Sequence, residues 1–120
     1  MSIKDGLKKL DIKSIKVKHG NVDSICYVID KKIAYISDVS EISKKNFKYL
    51  KNLDYFVLDC LWINKHPSHL NLEGSVDLIN KLKPKMAILT NLSPVLDYDY
   101  LKRVLPKNII PAYDNLTINL

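Results

Sequence analysis

Six polar residues occupy positions from which side chains could do chemistry: His19, Asp38, Asp59, His66, His69 and Asn91. Histidine together with aspartate is the donor set of hydrolytic zinc and manganese sites, where a bound ion lowers the pKa of water and polarises an ester. Each residue also has a plain structural use. Ser37, Asp38 and Ser40 precede a helical pattern, so Asp38 also reads as a helix N-cap or turn residue, the commoner use of aspartate at a strand end. His19 precedes a glycine turn, where a histidine is commonly a surface hydrogen bonder. His66-Pro67 can simply shape a loop, and Asn91 can cap or turn. Residue types alone leave both readings open.

The elements that must position these groups follow from hydropathy. Ile33–Asp38 is β-branched and aromatic, with Ile33 and Tyr35 of one parity and Ala34 and Ile36 of the other. That pattern suits a strand covered on both faces and ending in a carboxylate. Asp11–Lys18 reads as a first strand near an edge, broken by His19-Gly20-Asn21. Ser24–Asp30 reads as a second, joined to Ile33–Asp38 by a tight hairpin. Ser43–Asn52 is a lysine-rich surface helix with Phe47 and Leu50 inward. Tyr55–Cys60 is an apolar strand closing on Asp59, followed by a loop with Trp62, His66, Pro67 and His69. Asn71 caps a helix that runs to about Lys83 and stops at Pro84, with Leu72, Val76, Ile79 and Leu82 as its inner face. Met86–Asn91 is a buried-type strand, and a helix spans about Asp97 to Leu105. Asn108–Tyr113 and Leu116–Leu120 form an expected last hairpin. Residues 1–10 read as a lead-in, and 11–120 as one domain.

The expected class is α/β: one mixed sheet with helices mainly on one face. Three strands are apolar on both faces, yet three helices cover only one. The other face needs a cover.

Composition bounds the function. The chain has 120 residues, 47% hydrophobic and 27% charged, which suits one globular domain with a modest core. No apolar run is long enough to span a bilayer, and Met1–Gly6 lacks a signal-peptide core. Cys26 and Cys60 read as reduced, buried thiols, so a cytoplasmic setting is expected. The net charge of +6 comes from scattered lysines with a single arginine, Arg103. A nucleic-acid surface favours arginine and aromatic interleaving in a stripe, so nucleic acid is disfavoured as a partner. Lysine on solvated faces accounts for most of the charge, with a mild preference for phosphate-bearing ligands as the remainder.

Taken together, Val17-Lys18-His19-Gly20, Ile33–Asp38, Val57-Leu58-Asp59-Cys60, His66–Glu73, Ala87–Ser93 and Ala112-Tyr113-Asp114-Asn115 resemble metallo-β-lactamase-fold hydrolases. Within them the chain is most similar to the cyclic phosphodiesterases of phosphonate breakdown, which act on phosphoribosyl 1,2-cyclic phosphate. The resemblance covers roughly residues 10–120, in the family's order, and only the family's C-terminal half. It implies half of an αββα sandwich. It also implies His19 as a metal ligand, Asp38 as the carboxylate bridging two zinc or manganese ions, and His69 as a catalytic, substrate-phosphate-binding histidine. The family's last metal histidine falls on Asn91, and a further site histidine on Pro94. The His-x-His-x-Asp-His motif of the N-terminal half does not occur in the sequence. Asparagine is a poor zinc ligand beside imidazole, so weak or absent metal binding is expected. The implied function is a truncated phosphodiester hydrolase acting on a small phosphodiester, inactive alone or completed by a separately encoded N-terminal half. The alternative is a non-catalytic interaction module, with the half-fold as a partner or homodimer surface. No membrane partner is expected.

Overall fold

A computed structural model of the chain describes residues 2–5, 8–93 and 96–119. Seven strands lie in sequential order: β1 (Ser2–Asp5), β2 (Lys8–His19), β3 (Val22–Ile29), β4 (Ile33–Ile36), β5 (Tyr55–Asp59), β6 (Met86–Thr90) and β7 (Ile109–Pro111). The first four pair antiparallel, and β4, β5, β6 and β7 run parallel to one another. The mixed sheet follows from the connections. Short turns join the early strands, whereas the later ones are linked by helical crossovers. These helices are α1 (Phe47–Leu50), α2 (Leu72–Leu82) and α3 (Tyr98–Val104).

The helices cover one face. Val28, Ala34, Phe56 and Ala87 share a row across the sheet. They join Leu50, Ile79, Leu82 and Leu101 from the three helices in a single apolar core. The row Tyr27, Tyr35, Val57, Ile88 and Ile110 lies on the opposite face. There Tyr27 is 38%, Tyr35 44% and Ile25 46% exposed, so this face is open around β3 and β4, whereas Ile88 in the same row is buried. The open face expected from two-sided apolar strands is therefore present over part of the sheet.

Local rules account for the helix ends. Asn71 accepts a hydrogen bond from the Gly74 N–H at 2.9 Å, and Asp97 caps α3 by accepting from the Tyr100 N–H at 3.2 Å. Lys83, at φ 52, ends α2 in the left-handed region one residue before Pro84.

Three expectations need correction. The lead-in is not shapeless, because Ser2–Asp5 pairs with Lys8–Asp11. The Ser43–Asn52 helix shrinks to a 3-10 turn at Lys44–Asn46 followed by α1, since the chain leaves the helix at Lys51 and Asn52 sits at φ 58. The last hairpin is absent among the described residues: β7 pairs parallel with β6, and residues 116–119 are not in a strand. Its turn signal was sound, with Asn115 at φ 67, but a turn alone does not create a pairing partner. Leu120 lies outside the described residues. Among them, no helix is long and apolar enough to cross a membrane.

Candidate metal centre

His19, Asp38 and His69 converge. One ligand atom from each lies within 4.8 Å of the others, although 50 positions separate the first from the last. The site sits at the end of β2 and beyond β4, roofed by the loop after β5.

His19 is fixed through Nδ1, which donates to the Ser68 carbonyl oxygen at 2.6 Å. A carbonyl can only accept, so the proton is on Nδ1 and the neutral ring keeps its lone pair on Nε2. Gly20 makes this approach possible. It adopts φ 63, and a Cβ there would meet the Ser68 Cβ at 2.9 Å. Its N–H donates to Ser40 Oγ at 3.0 Å, and that hydroxyl donates in turn to the Lys18 carbonyl at 3.2 Å. The sharp turn after β2 and the histidine loop are thus held as one unit.

Asp38 follows β4 and is half-buried. Its Oδ2 accepts from Ser37 Oγ at 3.3 Å. It does not cap a helix: the nearest one begins after Ser43, which itself makes no side-chain cap. Of the two readings of Asp38, the N-cap is thereby removed.

Asp59 ends β5 and has a role that its local sequence does not mark. It is fully buried, on the sheet face opposite the helices. Its Oδ2 accepts from the Val39 N–H at 3.1 Å and from His69 Nδ1 at 2.7 Å. Its Oδ1 accepts from Asn91 Nδ2 at 3.3 Å. Burial pushes the carboxyl above the ordinary carboxylate range, while these donors pull the other way. A carboxylate on Nδ1 fixes the His69 tautomer and leaves Nε2 for a ligand, the arrangement that orients metal-bound histidines.

Asn91 stands at φ 60 just past β6 and turns its amide nitrogen inward, towards Asp59 Oδ1 and the Ser37 carbonyl at 3.2 Å. Two acceptors set that orientation, because a reversed amide would put oxygen against oxygen. Asn91 therefore reaches the site as a donor, not with the oxygen a metal would need. His66 Nδ1 accepts from the Ser68 N–H at 3.2 Å, and its ring lies 5.2 Å from that of His69, which suits a loop-shaping role. Pro94 lies outside the described residues.

The donor set fits a metal ion. Donors on a zinc-sized ion lie about 2.0–2.2 Å from it and hence roughly 3–3.5 Å apart, which small side-chain rotations reach from the observed spread. Two imidazoles with their far nitrogens anchored, plus one carboxylate, suit a divalent transition-metal ion. Among the described residues, no second cluster exists to hold another ion.

One mixed sheet, helices on one face and a His/Asp cluster at the strand ends define one layer pair of a metal-dependent hydrolase fold. The comparisons agree. A family model described as a beta-lactamase superfamily domain matches residues 1–90, and the chain belongs to that family. The crystal structure of a new diphosphatase from the PhnP family superposes with a TM-score of 0.89 at 31% identity, covering 99% of this chain and 46% of that one. Human tRNase Z, short form, gives 0.72 at 15% identity over 98% of this chain and 44% of its own. The metallo-beta-lactamase fold protein YhfI from Bacillus subtilis gives 0.70 at 16%, covering 92% and 48%. These last two show the fold alone. An octanoyltransferase from Porphyromonas gingivalis is 27% identical over 110 residues, 89% of this chain and 22% of that protein. The chain thus spans about half the length of the solved structures it matches.

Proposed function

We propose that this chain is the C-terminal half of a phosphodiester hydrolase of the cyclic-phosphodiesterase type, supplying one corner of its reaction centre. The observation carrying this reading is the convergence of His19, Asp38 and His69 within 4.8 Å, with His69 oriented by a buried carboxylate. The 31% identity to the PhnP-family diphosphatase supports hydrolysis of a phosphate-bearing substrate. His19 Nε2 and a carboxylate oxygen of Asp38 serve as metal ligands. His69 binds the substrate phosphate and is the acid, with Asp59 holding its ring and Asn91 holding Asp59. Asn91 stands where the family has a metal histidine, and its amide oxygen becomes a ligand only if the amide turns over. A bound ion supplies a low-pKa water and charge neutralisation at phosphorus. These two ligands, with His69 Nε2 beside them as a third donor only while no substrate is bound, hold such an ion weakly, so turnover requires ligands from an N-terminal half. The two buried free thiols support a reducing, cytoplasmic setting.

The test is turnover of bis(p-nitrophenyl) phosphate with zinc or manganese. The expected result is no hydrolysis by the purified chain alone, and hydrolysis when a His-x-His-x-Asp-His-bearing half is supplied. Robust metal-dependent turnover by the isolated chain refutes the proposal. A second reading, a non-catalytic module, is favoured by the exposed Ile25, Tyr27 and Tyr35. A stable homodimer in sedimentation, with no complementation by any N-terminal half, supports it instead.

A further inference from the structure

Away from the metal centre, β2 presents an open edge. Asp11 turns its carbonyl towards β3, where it accepts from the Asp30 N–H at 2.7 Å. Lys18 turns both backbone groups the other way: its N–H donates to the Glu41 carbonyl at 3.1 Å, and its carbonyl accepts from the Ser40 N–H at 2.8 Å. In an antiparallel pair this direction alternates residue by residue. The N–H and C=O groups of Ser14 and Lys16 therefore also point away from β3.

The two ends of this edge are occupied. β1 runs along it as far as the Ser2–Asp11 pair, and Glu41 forms an isolated antiparallel bridge with Lys18. Between them, no strand other than β3 pairs with Ser14 or Lys16 among the described residues, so their outer edge carries no ladder. The chain's own segment begins a ladder at Glu41 and then veers into the 3-10 turn at Lys44–Asn46.

A groove of about 1020 Å³ lies along this gap, walled by β2, by residues 40–49 and by α2. Six lysines line it, Lys13, Lys16, Lys18, Lys44, Lys45 and Lys81, against three carboxylates, Asp23, Glu41 and Asp77. Ile15, Ile42, Phe47 and Leu78 contribute apolar surface.

We propose that this edge is a docking site for an extended acidic peptide segment of a partner protein, which adds as a strand beside Ser14–Lys16. Backbone pairing supplies attachment, and the lysine surplus selects Asp- and Glu-bearing sequences. The first rung already exists in the chain itself, and the residue making it is acidic. Charge decides against a second copy of this chain as the occupant. Edge-to-edge pairing would set the lysines of one β2 against those of another, and like charges opposite one another repel. The unpaired backbone groups favour a peptide over a nucleic-acid strand, which offers no ladder for them. The inference does not depend on the metal centre.

The experiment uses the full chain and a fluorescein-labelled probe, Glu-Val-Asp-Val-Glu-Val, followed by anisotropy and by amide hydrogen exchange. Expected is saturable binding with slowed exchange at the Ser14 and Lys16 amides, which exchange quickly in the free chain. The Lys13 and Ile15 amides, bonded to β3, are slow in both states. The double variant Lys44→Glu, Lys45→Glu, on an exposed surface away from the core, weakens binding by roughly tenfold. Ser14→Pro, which removes an outward N–H at an edge position, weakens it by a similar factor. An equally charged oligothymidylate binds less tightly and leaves the two amides unprotected. No saturable peptide binding overturns the proposal, and the lysines then serve only to block self-pairing. Binding without protection at Ser14 and Lys16, or a preference for the oligonucleotide, overturns it as well.

Discussion

Replacing Asp59 with alanine is the sharpest test of the buried carboxylate as the hub of the site. The side chain is fully buried and accepts from the Val39 N–H at 3.1 Å, His69 Nδ1 at 2.7 Å and Asn91 Nδ2 at 3.3 Å. Val39 is itself fully buried, so its N–H has no water to turn to. Leaving such a donor unpaired costs about 1–3 kcal/mol, and losing the charge-assisted bond to His69 adds about 1 kcal/mol after partial rehydration of that ring. Removing a desolvated charge offsets part of this, which leaves a net loss of about 2–3 kcal/mol. Asp59→Asn behaves differently. Its amide oxygen can keep both Val39 and His69, while its amide nitrogen meets the more exposed Asn91, which can swing away, so the net change stays within about 1 kcal/mol. Urea unfolding followed by circular dichroism measures both variants, alongside the His69 Nδ1–H resonance. A loss in Asp59→Ala below about 0.5 kcal/mol, or equal losses in the two variants, refutes the assignment of a buried acceptor role.

Three further outcomes follow from the same geometry. Gly20→Ala forces a Cβ to 2.9 Å from the Ser68 Cβ at φ 63, and should cost about 1–2 kcal/mol in urea unfolding while shifting the His19 ring signals. Burial pushes the Cys26 thiol up to about 12 and the Cys60 thiol up to about 11, so both should resist iodoacetamide at mildly alkaline pH until urea unfolds the chain; fast labelling of the native protein contradicts this. Burial also raises the Asp59 carboxyl above its ordinary value of 3.8. The native state therefore holds this proton more tightly than the unfolded state. The stability this contributes is fully present below pH 3.8 and is lost as pH rises through the raised value. Asp59→Asn should remove that fall, so the wild-type minus variant difference in urea midpoint should shrink with rising pH and then level off.

Local chemistry made much of the framework legible. The α2 and α3 caps, the β3–β4 hairpin and the two-sided apolar strands are all signalled within a few residues. What escaped depends on distant partners. Asp59 looks like any carboxylate at a strand end until Val39 and His69 arrive from 20 and 10 residues away. The β1 hairpin is hidden because Lys4, Lys8 and Lys9 show no alternation that marks a strand, yet residues 2–5 pair with 8–11. Asp114-Asn115 signals a turn correctly, but β7 finds its neighbour in β6, far away in sequence. The resemblance implies site roles for His19, Asp38 and His69, and the structure brings their ligand atoms within 4.8 Å of one another. It also put Asn91 on a metal position, where the structure shows an amide donating to Asp59 and Ser37.

In the proposed function, His19, Asp38 and His69 form an anchored corner of a metal site that grips one ion weakly. Zinc titration followed by imidazole NMR of His19, His66 and His69 tests this most directly. The prediction is that the His19 and His69 signals move together through their Nε2 nitrogens, saturating at one equivalent and only above micromolar zinc. Asp38→Ala should weaken the response, and His66 should stay still. Unmoved His19 and His69 at millimolar zinc, movement of one without the other, or tight uptake of two ions would contradict the account.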